Sequence, residues 1–336
     1  MFKNLRKGLA KSCRNVRWKA SVISYEAHAI ERTYELRQQL LAGTYKVSDY
    51  QVFHVHEPKE RTIMATSIKD RQFQHSLCDN LVYDAMMRSA IVDSCACMKG
   101  RGVDYCLNRV THHLVKYFRH HGREGWVLKC DVHHYFDSID HDVAKAAVRK
   151  RVHDPDAVRY IDQVIDSFGE IGIGLGSQLS QLIANAILDD LDHFIKEQLH
   201  VRHYVRYIDD FVLIHHDKQF LQECLARIRE WMTAHRLELN RKTCIYPLKQ
   251  GAKMLHWRFC ITPSGRILRR MEKKKLGKQR RKLKKLAAKE AAGLMPPGTV
   301  GASHRSWMSG IRRGDTWYEQ RRMHEFYNNL RKEYAL

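Results

Sequence analysis

The sequence predicts an α+β fold, and three features carry the prediction. Short apolar runs at residues 126–131 and 201–214 have the length and branched side chains of buried strands, and both carry acids. Helical periodicity flanks them on both sides. A glycine-rich stretch (Gly172, Gly174, Gly176) feeds an apolar helix from Leu179 to about residue 194. With 336 residues, 44% apolar and 10% aromatic, the chain can bury a core, which excludes disorder as its overall state.

In chain order, residues 1–25 hold Lys3, Arg6, Lys7, Lys11, Arg14, Arg17 and Lys19 and no acid. They read as a basic N-terminal arm, since an arginine-rich targeting leader would show a stronger amphipathic pattern. A helix is predicted over residues 25–41, with Ala27, Ile30, Tyr34 and Leu41 on a helical period and Gly43 as its stop. Residues 50–56 alternate as a strand, a turn beginning at Pro58 leads into a second strand, and residues 70–88 return to a helical pattern. Residues 251–261 read as a further hairpin. Residues 266–289 carry thirteen Lys or Arg against one Glu, and the chain from about residue 303 is helical with Trp307, Trp317 and Tyr327. No internal repeat is visible.

Composition narrows the function classes. The chain has 59 Lys and Arg against 37 Asp and Glu, a formal +22 before its 21 His are counted. Such a surplus repels itself and needs a polyanion, with nucleic acid the leading candidate. Nine Cys without a C-x-x-C pair fit a reducing compartment. No apolar stretch approaches the roughly 20 residues of a spanning helix, so a soluble, unexported, cytoplasmic protein with no membrane partner is expected.

The acids are the chemically informative residues. Tyr204 and Val205 precede the tetrapeptide ending in Asp209 and Asp210, and Phe211 and Val212 follow it. Burying two adjacent carboxylates there costs on the order of several kcal/mol unless a cation compensates them. Taken alone, the pair is equally well explained as a solvated hairpin turn. Asp131 closes the earlier apolar run in the same way; alone, it is also a plausible strand-end cap. Three acids on two short strands can converge on paired divalent ions that bridge the attacking and leaving oxygens of phosphoryl transfer.

The spacing is more specific than the chemistry alone. D-V-H-H-Y-F-D-S-I-D at residues 131–140 and Y-I-D-D at residues 207–210 resemble the first and third palm motifs of reverse transcriptases, D-x-x-x-x-F and Y-x-D-D. Between them, L-G-S-Q-L-S-Q-L-I-A-N at residues 175–185 resembles the second, a glycine turn feeding a helix under the template base pair. Most bacterial retroelement enzymes read Q-G-x-x-x-S-P there. Leu175 and Gln181 give L-G-x-x-x-S-Q, the form of reverse transcriptases from diversity-generating retroelements. Residues 40–45, 57–61 and 69–75 resemble the fingers of that family, residues 237–243 its fourth palm motif, residues 254–259 its primer grip and residues 304–310 the start of its thumb. On this joint match the chain is identified as a member of that family.

The resemblance implies a right-hand polymerase fold: a basic N-terminal arm at 1–25, fingers at 26–125, an antiparallel-sheet palm with the catalytic acids at 126–262, and a basic segment with a helical thumb at 263–336. It implies an RNA-directed DNA polymerase that joins dNTPs by two-metal phosphoryl transfer. Asp131 and Asp209 would bridge two Mg2+, with Asp210 in support and the Val132 carbonyl completing one sphere. Phe136, which alone reads as core, takes the place of the bulky side chain that collides with a ribose 2′-OH. Lys59 and Arg61 resemble a triphosphate clamp, a point charge beside a planar fork, although alone they describe a solvated turn. Arg71 either joins that clamp or pairs with Asp70 at a helix start. Lys242 is placed to protonate the leaving pyrophosphate, or is simply solvated. Gly176, Ser180 and Gln181 would contact the nascent base pair.

Two departures stand out: Met98 where relatives usually carry Arg, and His256 where the primer grip usually carries Gly. The histidine pairs at 112–113, 120–121, 133–134 and 215–216 invite a zinc reading, but adjacent histidines point apart and no Cys lies at zinc spacing. The basic run at 266–289 is expected to track phosphates. Implied partners are a structured template RNA, the primer and cDNA duplex, and a small basic accessory protein. The diversity-generating form goes with error-prone synthesis opposite template adenine. The rivals are an antiphage defence reverse transcriptase, using a noncoding RNA or untemplated, protein-primed synthesis, and a noncatalytic RNA-binding scaffold. Intact Asp131, Asp209 and Asp210 argue against the scaffold.

Overall fold

The structure is a computed structural model that describes residues 1–55 and 60–335. Helices α1 (Phe2–Ser12), α2 (Ala20–Ala27) and α3 (Ala29–Leu41) precede a hairpin of β1 (Gln51–Val55) and β2 (Arg61–Ala65). Helix α4 (Ile68–Leu77) runs through a π turn into α5 (Tyr83–Met87), and α6 (Val103–His121) leads to β3 (Trp126–Asp131). Then follow α7 (Tyr135–Ser138), α8 (His141–Arg149), α9 (Pro155–Asp166) and α10 (Gln178–His193). Strands β4 (His203–Tyr207) and β5 (Asp210–His215) come next, then α11 (Lys218–Ala234) and β6 (Cys244–Pro247). The chain closes with β7 (Ala252–Met254), β8 (Trp257–Ile261), β9 (Ile267–Met271), α12 (Lys273–Ala291), α13 (Thr299–Ile311) and α14 (Trp317–Glu333). It divides into two compact units, residues 1–100, 131–200 and 226–242 forming one and residues 101–130, 201–225 and 243–336 the other.

In the first unit, residues 1–25 are largely helical and packed down. Leu5 and Leu9 of α1 are buried, and Gly8 lets the helix meet α4 so closely that a Cβ there would lie 2.3 Å from the Gln72 carbonyl oxygen. The single helix predicted over 25–41 is two, broken at His28 with φ −112° and ψ 30°. The break lets each piece serve a different cluster. Val22 and Tyr25 pack with Leu9, Cys13 and Ile68, whereas Leu36 and Leu40 pack with Leu5, Tyr45, Phe73 and Tyr160.

In the second unit, a four-stranded sheet has the order β4-β5-β3-β6, with β4/β5 and β3/β6 antiparallel. The apolar run at 201–214 is therefore a hairpin rather than one strand. A second sheet, β7-β8-β9, takes up the start of the basic run, because Ile267 to Met271 pair with Trp257 to Ile261. The rest of that run is α12, which buries Leu283 and Ala287 against Val300, Met323 and Leu330 while Lys278, Arg281, Lys282, Lys284, Lys285 and Lys289 stay exposed. Helix α13 begins at Thr299, earlier than expected, because Gly298 takes φ +86° just before it.

Candidate active site

The acidic hairpin lies in the second unit. Tyr204, Val205, Phe211 and Val212 are at most 1% exposed, so both strands are buried on both faces. Tyr207 and Asp210 are register partners, which leaves Ile208 and Asp209 as the turn. Ile208 takes φ +55°, a left-handed conformation that costs a β-branched residue about 1–3 kcal/mol. Arg206, fully buried, donates from Nη1 to the Ile208 carbonyl at 3.0 Å and so braces that turn. Asp209 and Asp210 are half-buried. Asp209 thus lies on the hairpin turn and Asp210 at the start of β5, both partly withdrawn from water.

The compensating cation comes from the chain itself. Lys129, on β3 beside β5, places its ammonium against Asp210 Oδ1 as an ion pair. The two side chains are 20% and 24% exposed, and the ammonium also approaches Met254 Sδ at 3.9 Å.

The first unit holds most of the other predicted residues. Asp131 ends β3, its carbonyl accepts from the Asn240 N–H at 2.7 Å, and buried Val132 bridges to Leu239. The next turn selects between two aromatics. Tyr135 is buried with its hydroxyl donating to the Ala184 carbonyl at 2.6 Å, whereas Phe136 is only half-buried. Tyr135, and not Phe136, is the core residue. The Phe136 carbonyl accepts from the Ile173 N–H at 2.8 Å, tying the glycine-rich loop to α7. Gly176 is exposed at φ +111°, a conformation open to glycine, and Gln181 is exposed one turn into α10. Ser180, by contrast, is 1% exposed.

Ser177 caps α10, accepting from the Leu179 and Ser180 N–H groups, and donates to Gln74 Oε1 at 2.8 Å. His75 Nδ1 and Gln178 Oε1 are 2.6 Å apart. These bonds fasten α4, which carries Arg71, to the start of α10. The Asp70–Arg71 pair does not form, because buried Asp70 is held by the Tyr45 hydroxyl (2.7 Å), the Ser48 N–H (3.1 Å) and the Ser67 hydroxyl (2.7 Å). Arg71 keeps a buried Nε without a hydrogen-bond partner, and burial lowers its guanidinium pKa. Arg61 is exposed at the start of β2, and Lys242 is exposed after a turn in which Asn240 Oδ1 accepts its N–H at 3.0 Å. Lys59 lies outside the described residues.

Three side chains escaped the sequence reading: Lys129, Arg206 and Gln74. Lys129 had a usable signal, because residues two apart on a strand share a face and it stands two before Asp131. Among the described residues no group of three or more His, Cys, Asp or Glu is arranged to hold a metal ion. The donor chemistry of Asp131, Asp209, Asp210 and the Val132 carbonyl is all hard oxygen and suits Mg2+. Histidines instead pack on one another, His113 Nδ1 lying 3.4 Å from His203 Nδ1 and His121 stacking on His216 at 4.5 Å.

The profile of the reverse transcriptase (RNA-dependent DNA polymerase) family matches residues 55–285. The chain belongs to the reverse transcriptase family. Among curated proteins, this reverse transcriptase chain is 24% identical over 177 residues to Protein YkfC of Escherichia coli (strain K12), a match covering 48% of this chain and 45% of that protein. The chain therefore spans less than half the length of that relative. Among solved structures it resembles apo telomerase from Candida tropicalis truncated from its C-terminal domain, with TM-score 0.51 and 10% identity over 72% of this chain and 60% of that one. It also resembles telomerase from Candida albicans in complex with a TWJ fragment of telomeric RNA, with TM-score 0.50 and 10% identity over 78% and 55%. The fold class is accordingly the α+β right-hand polymerase fold of mixed helices and antiparallel sheet. No described helix is long and apolar enough to cross a membrane.

Proposed function

We propose that this reverse transcriptase is an error-prone RNA-directed DNA polymerase that makes cDNA from a dedicated structured RNA within a diversity-generating retroelement. The observation that carries the polymerase reading is the β4–β5 hairpin, a braced turn presenting Asp209 and Asp210 beside the strand that ends in Asp131. The L-G-x-x-x-S-Q run, with Gly176 and Gln181 exposed at the start of α10, supports the diversity-generating branch. Fingers, palm and thumb are assigned to residues 26–125, 126–262 and 263–336, after the basic segment 1–25.

Asp131, Asp209 and Asp210, with the Val132 carbonyl, are the groups assigned to hold two Mg2+, which when bound would lower the pKa of the primer 3′-hydroxyl and screen the departing pyrophosphate. Arg71, with Arg61 and Lys59, binds the triphosphate; a guanidinium whose buried Nε lacks a partner gains from an anion. Phe136 excludes the 2′-hydroxyl of a ribonucleotide, a role with which its half-exposure is consistent. Lys242, exposed on its turn, delivers a proton to the leaving group. The basic face of α12 follows the duplex phosphates. A structured RNA and a small basic accessory protein are the assigned partners. Nine cysteines, none of them in a disulfide, support a reducing, cytoplasmic setting.

The test is primer extension on an RNA template with Mg2+ and each dNTP or NTP singly, followed by product sequencing. Deoxynucleotide-dependent cDNA with errors concentrated opposite adenine supports the whole reading. Faithful or untemplated DNA replaces the diversifying role with a defence role. An Asp209→Ala variant that extends primers at the wild-type rate overturns the site assignment.

A further inference from the structure

The acidic hairpin carries two adjacent half-buried carboxylates, and the chain answers them with a lysine. We propose that Lys129 is a built-in counter-cation of Asp210, one that keeps the acidic hairpin formed without metal and that a divalent cation must displace to bind Asp210. This rests on the polymerase reading above.

Three observations carry it. The Lys129 ammonium lies against Asp210 Oδ1, an oxygen already screened from solvent, so any second cation at that oxygen meets the ammonium. The lysine is fixed on β3, next to β5, two residues before Asp131 and on the same strand face, which holds its charge near the acids whatever its rotamer. Its ammonium also approaches the thioether of Met254, a weak acceptor whose contact costs little to leave. Lysine suits the role better than arginine, because a point charge on a flexible stem vacates one oxygen by a rotamer change, whereas a planar fork grips a carboxylate with two bonds. Lys129 is thus a positioning residue that acts through Asp210.

The experiment is Mn2+ binding to the full chain, without nucleotide or primer, by electron paramagnetic resonance, alongside melting temperature with and without Mn2+. Lys129→Met keeps the stem and removes the charge; it is expected to bind Mn2+ about threefold to tenfold more tightly and to gain more thermal stability from Mn2+ than wild type. Lys129→Arg, which keeps the charge, is expected to stay at or below wild-type affinity. In an Asp210→Asn background the effect of Lys129→Met is expected to vanish. Unchanged or weaker Mn2+ binding by folded Lys129→Met overturns the proposal, as does an effect that persists without the Asp210 carboxylate or no Mn2+ binding by any variant. Primer extension by Asp209→Ala tests the polymerase reading separately, so the two failures are distinguishable.

Discussion

At Ile208 the chain puts a β-branched side chain where glycine would sit without strain, and it keeps that conformation by bonding the residue's carbonyl to buried Arg206. Arg206→Met leaves that carbonyl without its buried donor and is expected to destabilise the protein by about 1–3 kcal/mol, read as a lower melting temperature. Primer extension should fall further than for Arg206→Lys, since the turn carries Asp209. A second residue sets a pH dependence. His193 Nδ1 lies 2.6 Å from Glu197 Oε1, and this hydrogen bond, against the opposing effect of burial and with help from the Ser89 carbonyl, raises the imidazole pKa. A raised folded-state pKa stabilises fully below the unfolded value of about 6.5 and stops contributing as pH rises through the folded value. The melting-temperature advantage of wild type over Glu197→Gln should therefore be largest in mild acid and shrink above neutrality; parallel curves would contradict it.

Helix α10 is the element on which the first unit turns. It is buried along most of its length, and its start is set by Ser177, which caps two N–H groups and reaches Gln74 on α4. Ser177→Ala is expected to cost about 1 kcal/mol, and more if Gln74 is left unpaired, measured by urea unfolding. Two helical glycines separate packing from propensity. A Cβ at Gly8 would strike the Gln72 carbonyl at 2.3 Å, so Gly8→Ala should destabilise by roughly 1–3 kcal/mol. A Cβ at Gly277 in α12 meets nothing within 4 Å, so Gly277→Ala should stabilise by about 0.5–1 kcal/mol. The same substitution with opposite signs would show that α1, within the basic arm of residues 1–25, is a packed element.

At the scale of the whole molecule the formal +22 charge dominates. RNA affinity should fall steeply and linearly on a log–log plot against salt, as counterions released from phosphates are returned; a nearly flat plot would remove the basic-surface account. Charge reversal of Lys278, Arg281 and Lys285 on α12 should flatten that slope while leaving the melting temperature nearly unchanged, because these side chains are exposed.

Much of this protein was legible in one dimension because the informative signals are local. Four consecutive residues place Asp209 and Asp210 between strand-forming neighbours, five positions separate Asp131 from Phe136, and composition alone demands a polyanion. These also revealed the family. What the sequence left open depends on residues brought together across tens or hundreds of positions. Asp70 is held by Tyr45, Ser48 and Ser67 rather than by its neighbour Arg71. Tyr135, and not Phe136, enters the core because Ala184 offers it a carbonyl. The helix predicted over 25–41 breaks at His28 because its two parts serve different clusters. The cation paired with half-buried Asp210 is Lys129, eighty-one positions before it, and the strand period that sets Lys129 on the face of Asp131 does not by itself pair it with Asp210. Local order determined which groups are assigned the chemistry; the tertiary structure decided which neighbours compensate their charge, since burial sets that energy and only the folded chain sets burial.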